Sequence, residues 1–297
     1  FKNILIANRG EITCRIIKTA KQMGIETHVV FHNKDYSTPH TKQADYAHEI
    51  LGPNPNSAYL DLEQLVAILK NHGIEAVHPG YGFLSETPSL PKLLEQHGIA
   101  YVGPRSESVA LMGDKVEALQ YAKSLGVNTL NGAVFDKDIK TFLSNCKDLK
   151  FPIMLKLSGA GGGRGIKIID NPDELNQVIT DLNKEKERNF KSSIIFAEEY
   201  ISNPRHIEVQ IIGDGVGNVR HLYERECSIQ RRYQKVIEEA PAQYLTSSQK
   251  KAMRDDAEKL ASSMKYLNAG TVEFLVPAYD SNTHYFLEMN TRIQVEH

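Results

Sequence analysis

Short apolar runs alternate with amphipathic helical patterns over roughly the first 110 residues, and this alternation limits the possible folds more than any other feature. Four of the runs predict strands: Ile4–Ala7, Glu26–Phe31, Ala76–His78 and Ile99–Val102. Between them, apolar residues recur at helical spacing, as at Ile12, Ile16 and Ala20. Because strands that alternate with helices usually pair in parallel, the sequence predicts an α/β fold that opens with a parallel sheet.

The pattern changes after the helix predicted for Lys115–Leu125, which Gly126 ends. Three short apolar runs and one charged amphipathic stretch follow: Pro152–Leu157, Ile166–Ile169, Ile194–Glu198 and Asp173–Arg188. Three strands and a helix of this size predict a small α+β lid.

The last third predicts mainly strands. Residues 206–211 alternate polar and apolar, which predicts a half-buried strand. After the turn signal Asp214-Gly215, Val219–Glu224 is predicted to return antiparallel. The elements predicted next are a helix that the Thr246–Gln249 capping box opens and that runs to about Lys265, and the strands Val272–Val276 and Tyr285–Asn290.

Charge and composition argue against several classes of protein. Lys plus Arg number 35 and Asp plus Glu number 37, and the net charge of −2 argues against a general nucleic-acid binder. No apolar stretch approaches the length of a membrane span, so we expect no membrane partner. From the charge balance, we expect no nucleic-acid partner either. Cys14, Cys146 and Cys227 are far apart and form no C-x-x-C pair, which favours a reduced, intracellular compartment, cytoplasm or mitochondrial matrix alike.

Residues 158–165 contain five glycines between two predicted strands. Glycine lets backbone N–H groups surround phosphate oxygens, since no Cβ intervenes. The loop is neither a Walker A motif, because no Gly-Lys-Ser/Thr follows, nor a dinucleotide fingerprint, because a strand follows where a helix is required. A flexible linker and a flap over nucleotide phosphates stay open, and Lys156 before the loop is either an edge-strand lysine or a phosphate ligand.

Side chains should alternate between two faces along residues 286–292. This predicts Leu287 and Met289 in the core and three polar residues on the other face: Glu288, Asn290 and Arg292. Carboxylate and amide oxygens suit Mg²⁺, and a guanidinium suits carboxylate or phosphate oxygens. If the preceding strand pairs with this one, Glu273 brings a second carboxylate to the metal; a solvated polar face is the alternative.

Gln230–Lys235 is a third cluster, and it is rich in basic residues. If the segment is extended, Arg231, Tyr233 and Lys235 point the same way. The segment is then either a basic surface strand or an anion site.

Together, these motifs resemble the biotin carboxylase component of biotin-dependent carboxylases, a member of the ATP-grasp superfamily. The resemblance covers essentially all 297 residues and rests on an ordered set: Ile6–Ile12, His78–Glu86, Met112–Lys115, Lys156 with its glycine loop, Asn203–His206, Glu226–Arg232 and Glu288–His297. It implies a Rossmann-like, pre-ATP-grasp domain over residues 1–112. An ATP-grasp domain over 113–297 would follow, with the lid at about 128–202.

The resemblance implies a reaction in which bicarbonate, MgATP and carrier-linked biotin give carboxybiotin, ADP and phosphate through carboxyphosphate. The expected cofactors are ATP, Mg²⁺ or Mn²⁺, and biotin as carrier-linked substrate. The expected partners are a biotin carboxyl carrier protein or domain, a carboxyltransferase component and a second copy in a homodimer. Family members continue past the Gln-Val-Glu-His motif into a C-terminal lobe with an arginine at the biotin site. We therefore expect either a fragment or a protein that binds biotin differently.

Site residues carry over from the resemblance one by one. Lys115 and Lys156 would hold ATP phosphates, under a flap that contains Gly162 and Gly163. The remaining ATP-binding residues would be Glu198, Glu199, Tyr200, Ile201, His206, Gln230, Glu273 and Tyr233, the last standing where many members have His. The metal ligands would be Glu273, Glu288 and Asn290. The bicarbonate residues would be Lys235, Arg292, Gln294, Val295 and Glu296, of which Lys235, Arg292 and Glu296 are predicted to be catalytic, with Glu296 as the general base.

Two other interpretations stay open. A different ATP-grasp ligase, one that activates another carboxylate, would use Lys156, the glycine loop and Glu288 equally well. A nucleotide-binding or assembly module that is inert by itself is the non-enzymatic interpretation. Lys235 and the run 292–296 favour bicarbonate over other carboxylates.

Overall fold

The computed structural model describes residues 1–135, 138–157, 166–189, 194–278 and 283–296, and these residues form three sheets. Each sheet has an apolar core of its own. Among the described helices, none combines the length and the apolar character that crossing a bilayer requires.

The first sheet is parallel throughout. Its strands are β1 (Asn3–Ile6), β2 (Glu26–Phe31), β3 (Tyr46–Glu49), β4 (Ala76–His78) and β5 (Ala100–Tyr101), in the order β3-β2-β1-β4-β5. The helices are α1 (Gly10–Gln22), α2 (Pro39–Gln43), α3 (Pro55–Tyr59), α4 (Leu62–His72), α5 (Ser89–Gln96) and α6 (Ser106–Gly113), with a 3-10 turn at Asn33–Asp35. The predicted stripe of α1 packs Ile12 and Ile16 against Ile6 and Val29. The α/β fold with a parallel first sheet is confirmed.

The second sheet is the predicted lid. After α7 (Lys115–Ser124), its strands are β6 (Gly132–Val134), β7 (Ile153–Leu157), β8 (Ile166–Ile169) and β9 (Ile195–Glu199), antiparallel in the order β6-β9-β7-β8. Two helices, α8 (Ile139–Lys147) and α9 (Leu175–Asn189, after a 3-10 turn at Pro172–Glu174), share its core through Phe142 and Ile179. The glycine-rich loop between β7 and β8 lies outside the described residues.

The third sheet is antiparallel. Its strands are β10 (Arg205–Asp214), β11 (Val219–Arg231), β12 (Gln234–Glu239), β13 (Leu267–Val276) and β14 (Tyr285–Asn290), in the order β12-β11-β10-β13-β14. One helix, α10 (Ser247–Ser263), packs Met253 and Leu260 into the core of this sheet. It begins at the predicted capping box, in which Gln249 N donates to Thr246 Oγ1 and Thr246 N donates to Gln249 Oε1.

The alternation predicted for β14 fails at Leu287. The β13–β14 register shifts between Glu273 and Phe274, so Leu287 is an extra residue in a β-bulge. Phe286 and Met289 therefore both enter the core, at 2% and 5% exposure. The prediction that Leu287 enters the core is wrong, whereas that for Met289 is confirmed.

The condition that Gln230–Lys235 is one extended segment is not met. Arg232 and Tyr233 form a two-residue turn between β11 and β12, with φ of 53° and 62°. Two positive φ angles are typical of a type I′ hairpin turn. Arg232-Tyr233 is not the Asn-Gly or Asp-Gly pair that usually marks such a turn, so this turn could not be predicted from its residues.

Candidate active site

A cleft of about 840 Å³ lies between the lid sheet and the third sheet. Its walls come from α7, from β7 and β9 of the lid, and from β10, β11 and β14 opposite them. Many of the predicted nucleotide and metal residues line it: Lys115, Lys156, Glu198, Glu199, Tyr200, Ile201, His206, Gln230, Tyr233 and Glu288. Gly162 and Gly163 lie outside the described residues, so their place in the flap stays a prediction.

Lys115 is held at the cleft by the start of α7. Asp114 caps this helix by accepting hydrogen bonds from Val116 N and Glu117 N, at 2.9 and 3.0 Å. Lys115 Nζ donates to the backbone carbonyl of the bulged residue Leu287. Burial lowers the pKa of Lys115, although nearby carboxylates oppose the shift. The ammonium is thus a partly desolvated donor that a phosphate oxygen would satisfy.

Lys156 lies on β7 and forms an ion pair with Glu198 on β9. Glu198 is 4% exposed, so this pair sits in a largely dry wall of the cleft. The loss of either partner would leave a buried charge without its counter-ion.

One end of the cleft is lined by residues 199–201, next to β9, where backbone groups are already hydrogen-bonded. Tyr200 N donates to Pro152 O at 2.9 Å, and Glu199 Oε1 accepts from Lys150 N at 3.0 Å. Ile201 is 6% exposed. This end of the cleft presents apolar surface and backbone atoms, which is the kind of surface that a planar base needs.

His206 and Gln230 are joined across β10 and β11. Gln230 Nε2 donates to His206 Nδ1 at 2.7 Å and to the Cys227 carbonyl at 2.7 Å. Nδ1 of the ring is then an acceptor, so Nε2 carries the hydrogen and donates to Glu273 Oε2 at 2.5 Å. These hydrogen bonds connect the wall of the cleft at Gln230 and His206 to the carboxylate of Glu273.

One row of charged residues runs across four strands of the third sheet. Arg225 on β11 faces Glu208 on β10, Glu208 faces Glu273 on β13, and Glu273 faces Glu288 on β14. Like charges that face each other across strands repel, so three carboxylates in one row require nearby cations. The predicted pairing of Glu273 with the last strand is confirmed.

Lys235 supplies one of these cations. Its Nζ donates to Glu208 Oε2 and, at 2.9 Å, to Glu273 Oε1, and it lies 3.8 Å from Glu296 Oε1. Burial alone would lower the pKa of Lys235, but the carboxylates of Glu273 and Glu208 raise it above its ordinary value. Burial alone would likewise raise the pKa of Glu273, yet His206 and Lys235 lower it to about 2. The pair is therefore ionised at neutral pH.

Glu288 is the carboxylate of the row that faces the open cleft. Desolvation by the surrounding protein, and then the facing Glu273, raise the pKa of Glu288, although solvent reaches the side chain through the cleft. Glu273 already accepts hydrogen bonds from Lys235, His206 and, at 2.6 Å, Asn290 Nδ2. Of these two carboxylates, Glu288 is thus the one that is more accessible to a metal ion.

The oxygen donors in this row suit a divalent cation. Mg²⁺ is usually bound by one or two carboxylates and completed by substrate phosphates. The described residues contain no cluster of three His, Cys, Asp or Glu side chains that would hold a metal unaided. Glu288, Glu273 and the Asn290 amide oxygen, which also accepts from Arg292 Nη2 at 3.4 Å, are oxygen donors that would suit a metal arriving with a nucleotide.

The remaining predicted residues lie on the segment after β14, and each of them has different surroundings. Arg292 Nε donates to Glu86 Oε1 at 2.9 Å, and Gln294 Oε1 accepts from Arg225 at 3.0 Å. Glu296 lies near Lys235, as given above. The Val295 side chain is 68% exposed, so a contribution from Val295 would have to come from its backbone.

Three residues that contact the predicted site residues were not predicted from the sequence: Glu86, Glu208 and Arg225. The strand predicted over residues 206–211 is confirmed as part of β10, but its predicted half-burial is wrong, because Glu208 and Gln210 on its polar face are 0% and 1% exposed. Glu208 and Gln210 are covered by Arg225 and Lys235 instead of solvent. The same alternation marks an ordinary half-buried strand, so the sequence carries no separate signal for this burial.

Two protein families match the chain, each over a different part of it. Residues 1–109 match the family described as the biotin carboxylase N-terminal domain. Residues 114–297 match the ATP-binding domain of the carbamoyl-phosphate synthase L chain. The chain belongs to the biotin carboxylase family. The α/β fold of a biotin carboxylase, with its ATP-grasp part, is thereby confirmed.

Two curated relatives of the chain are named as a chain or a subunit of a carboxylase. The chain is 44% identical to the mitochondrial propionyl-CoA carboxylase alpha chain of Mus musculus, over 100% of this chain and 41% of the mouse protein. It is 43% identical to the 2-oxoglutarate carboxylase small subunit of Hydrogenobacter thermophilus, over 100% of this chain and 62% of that subunit. The chain thus spans 41% and 62% of the length of these two curated relatives, in both cases less than two thirds.

Solved biotin carboxylase structures superpose on the whole length of this chain. The biotin carboxylase domain dimer of the H. thermophilus enzyme, in complex with MgADP, ADP and bicarbonate, superposes with a TM-score of 0.94 at 42% identity, covering 100% of this chain and 65% of that one. A biotin carboxylase from Campylobacter jejuni in complex with β-γ-ATP gives a TM-score of 0.93 at 38% identity, covering 100% and 66%.

Proposed function

We propose that this chain carries out ATP-dependent carboxylation of carrier-linked biotin, with bicarbonate as the carboxyl source. The observation that carries the proposal is the position of Lys235. It joins Glu208 and Glu273, lies within 3.8 Å of Glu296, and connects through Glu273 and His206 to a cleft lined by Lys115 and Lys156. A nucleotide site and a cation-lined anion site therefore share one wall.

The nucleotide would lie in the cleft. Lys115 and Lys156 would hold its phosphates, while the surface around Tyr200 and Ile201 would receive the base. Glu288, Asn290 and Glu273 would hold the metal, which neutralises phosphate charge when it is bound. The assignment of each residue is supported by its position in or beside the cleft.

Bicarbonate would lie at Lys235, Arg292 and Gln294, with the Val295 backbone beside them. Bicarbonate is a poor nucleophile until it loses its proton, and Glu296, whose Oε1 lies 3.8 Å from Lys235 Nζ, would accept that proton. A bicarbonate oxygen would attack the γ-phosphoryl group, and the bond to ADP would break. The products of this step are carboxyphosphate and ADP, and Lys115, Lys156, Lys235 and Arg292 would offset the repulsion between the anions.

Biotin would then take the carboxyl group and phosphate would leave. A biotin carboxyl carrier protein or domain, a carboxyltransferase component and a second copy of the chain are the partners that we propose. Relatives that are chains or subunits of biotin-dependent carboxylases support this. Which acyl-CoA or oxo acid finally receives the carboxyl group is set by the carboxyltransferase component.

The test is ADP release by the complete gene product with and without bicarbonate, each with and without free biotin. We expect MgATP turnover that depends on bicarbonate and increases with biotin. ATP turnover indifferent to bicarbonate would refute the proposal. ADP release driven by an amino acid or a peptide carboxylate would indicate a different ATP-grasp ligase.

A further inference from the structure

Five side chains form a closed ring of hydrogen bonds beside the cleft: Arg225, Glu208, Lys235, Glu273 and Gln294. Arg225 Nε and Lys235 Nζ donate to different oxygens of Glu208. Lys235 Nζ and Gln294 Nε2 both donate to Glu273 Oε1, at 2.9 and 3.5 Å. Arg225 Nη2 donates to Gln294 Oε1 at 3.0 Å and closes the ring.

Arg225 and Glu273 together determine which way the Gln294 carboxamide points. A guanidinium only donates, so the carboxamide oxygen must face Arg225, and the NH₂ group must face the Glu273 and Lys235 side. Arg225 cannot easily turn away, because Nη1 donates to Gln210 Oε1 at 3.0 Å and Nη2 lies 3.5 Å from Thr271 Oγ1. The Arg225 side chain as a whole is buried.

We infer that Arg225 is a positioning residue for anion binding, which holds Gln294 with its NH₂ group toward the bicarbonate site. The inference rests on the proposed function and assigns a part to a residue that does not line the cleft. A Gln294 amide turned the other way would present its carbonyl oxygen to an anion, which repels it. Arg225 itself does not donate to the anion; it acts through Gln294, whereas its bond to Glu208 leads to Lys235 on the other side of the ring.

The first test compares Arg225→Met with a matched control, Arg254→Met. Arg254 on α10 forms an ion pair with Glu224, a buried carboxylate on β11, much as Arg225 on β11 pairs with the buried Glu208 on β10. In the complete gene product, we expect Arg225→Met to raise the KM for bicarbonate roughly tenfold or more, because a hydrogen bond to a charged group contributes about that much. The KM for ATP should change less than about twofold.

Arg254→Met should lower the melting temperature and leave both KM values unchanged. A purely structural role for Arg225 predicts instead that the two variants behave alike. An equal rise in both KM values with Arg225→Met would overturn the inference.

The second test asks whether Arg225 acts through Gln294. If it does, Arg225→Met should add little to the effect of Gln294→Ala on the bicarbonate KM. Effects that multiply in the double variant would overturn the inference. If Arg225→Met fails to fold, Arg225→Lys replaces it in both tests, since a lysine ammonium lacks the planar fork with which Arg225 reaches Glu208, Gln210 and Gln294 at once.

Arg225→Lys should therefore also raise the bicarbonate KM, and a lysine variant with the unaltered KM would contradict the assignment. An unaltered protein whose ADP release ignores bicarbonate would overturn the proposed function and the role of Arg225 with it. A bicarbonate-dependent protein that is insensitive to Arg225 substitution would overturn only the role of Arg225.

Discussion

Arg292 Nε donates a hydrogen bond to Glu86 Oε1 at 2.9 Å, although 206 residues separate the two in the chain. Glu86 follows β4 of the parallel sheet, whereas Arg292 follows β14 of the antiparallel sheet. The Arg292 guanidinium also donates to Asn290 Oδ1 at 3.4 Å. The first sheet thus helps to place a cation that we assign to the bicarbonate site.

Glu86→Gln should weaken this placement. Because the Glu86 side chain is 49% exposed, the ion pair should contribute only about 1 kcal/mol or less to stability. We expect the KM for bicarbonate to rise severalfold with little change in melting temperature. Glu95→Gln, another exposed carboxylate of the first sheet region, is the control. An unchanged KM in Glu86→Gln would show that Arg292 is placed without Glu86.

Lys156→Ala should weaken nucleotide binding, since Lys156 lines the cleft beside Glu198. A ligand that binds the folded state raises its stability, so MgATP should raise the melting temperature of the unaltered protein and do so much less in the variant. Lys167→Ala, which removes an exposed lysine of the neighbouring strand β8, should keep the full rise. The same rise in all three proteins would argue that Lys156 does not contact the nucleotide.

Glu296→Gln should abolish bicarbonate-dependent turnover while ATP affinity is kept. Loss of a general base typically lowers the rate by about two to four orders of magnitude. The matched control is Glu238→Gln, which removes an exposed carboxylate near Glu296 and should leave turnover largely intact. Single-turnover ADP formation and ATP binding are the measurements. If both variants lose turnover equally, the proton acceptor is not Glu296.

His78 should make stability depend on pH. Burial lowers the pKa of His78 to about 4, and Gly80 N donates to the ring Nδ1 at 3.0 Å. The unfolded chain takes up this proton near pH 6.5 and the folded chain only near pH 4. The folded state therefore binds fewer protons in this window, and the free energy of unfolding falls as the pH drops through it.

The full shift amounts to at most about 3 kcal/mol. His78→Asn, whose amide oxygen can still accept from Gly80 N, should reduce the slope in denaturant unfolding between about pH 4 and pH 7. Some slope should remain, because burial and the neighbouring His72 and His28 also lower the pKa of His48 to about 4. Identical slopes in both proteins would contradict this assignment.

Local patterns predicted much of the fold. The helical stripe of α1 and the capping box of α10 are local signals, and both are confirmed. Strand β3 was missed because Tyr46, Ala47 and Glu49 are exposed, so no apolar run marks it. The bulge at Leu287 was missed because a two-residue period has no place for an extra residue.

The candidate site was predicted less completely, for a physical reason. Glu288 and Asn290 could be picked out from one strand, since they alternate with apolar residues there. Glu208 and Arg225 look like ordinary solvated residues in the sequence, because their burial depends on the pairing of four strands. Pairing between distant strands is a property of the tertiary fold and is not encoded in any one segment.

The most direct test of the central claim is the fate of a bicarbonate oxygen. If a bicarbonate oxygen attacks the γ-phosphoryl group, heavy-oxygen-labelled bicarbonate must pass one labelled oxygen to each phosphate released by the complete gene product with MgATP. We expect mass spectrometry of the phosphate to find that transfer, and Glu296→Gln to abolish it. Phosphate that carries oxygen from water alone would show that ATP is simply hydrolysed in the cleft, and would contradict the account.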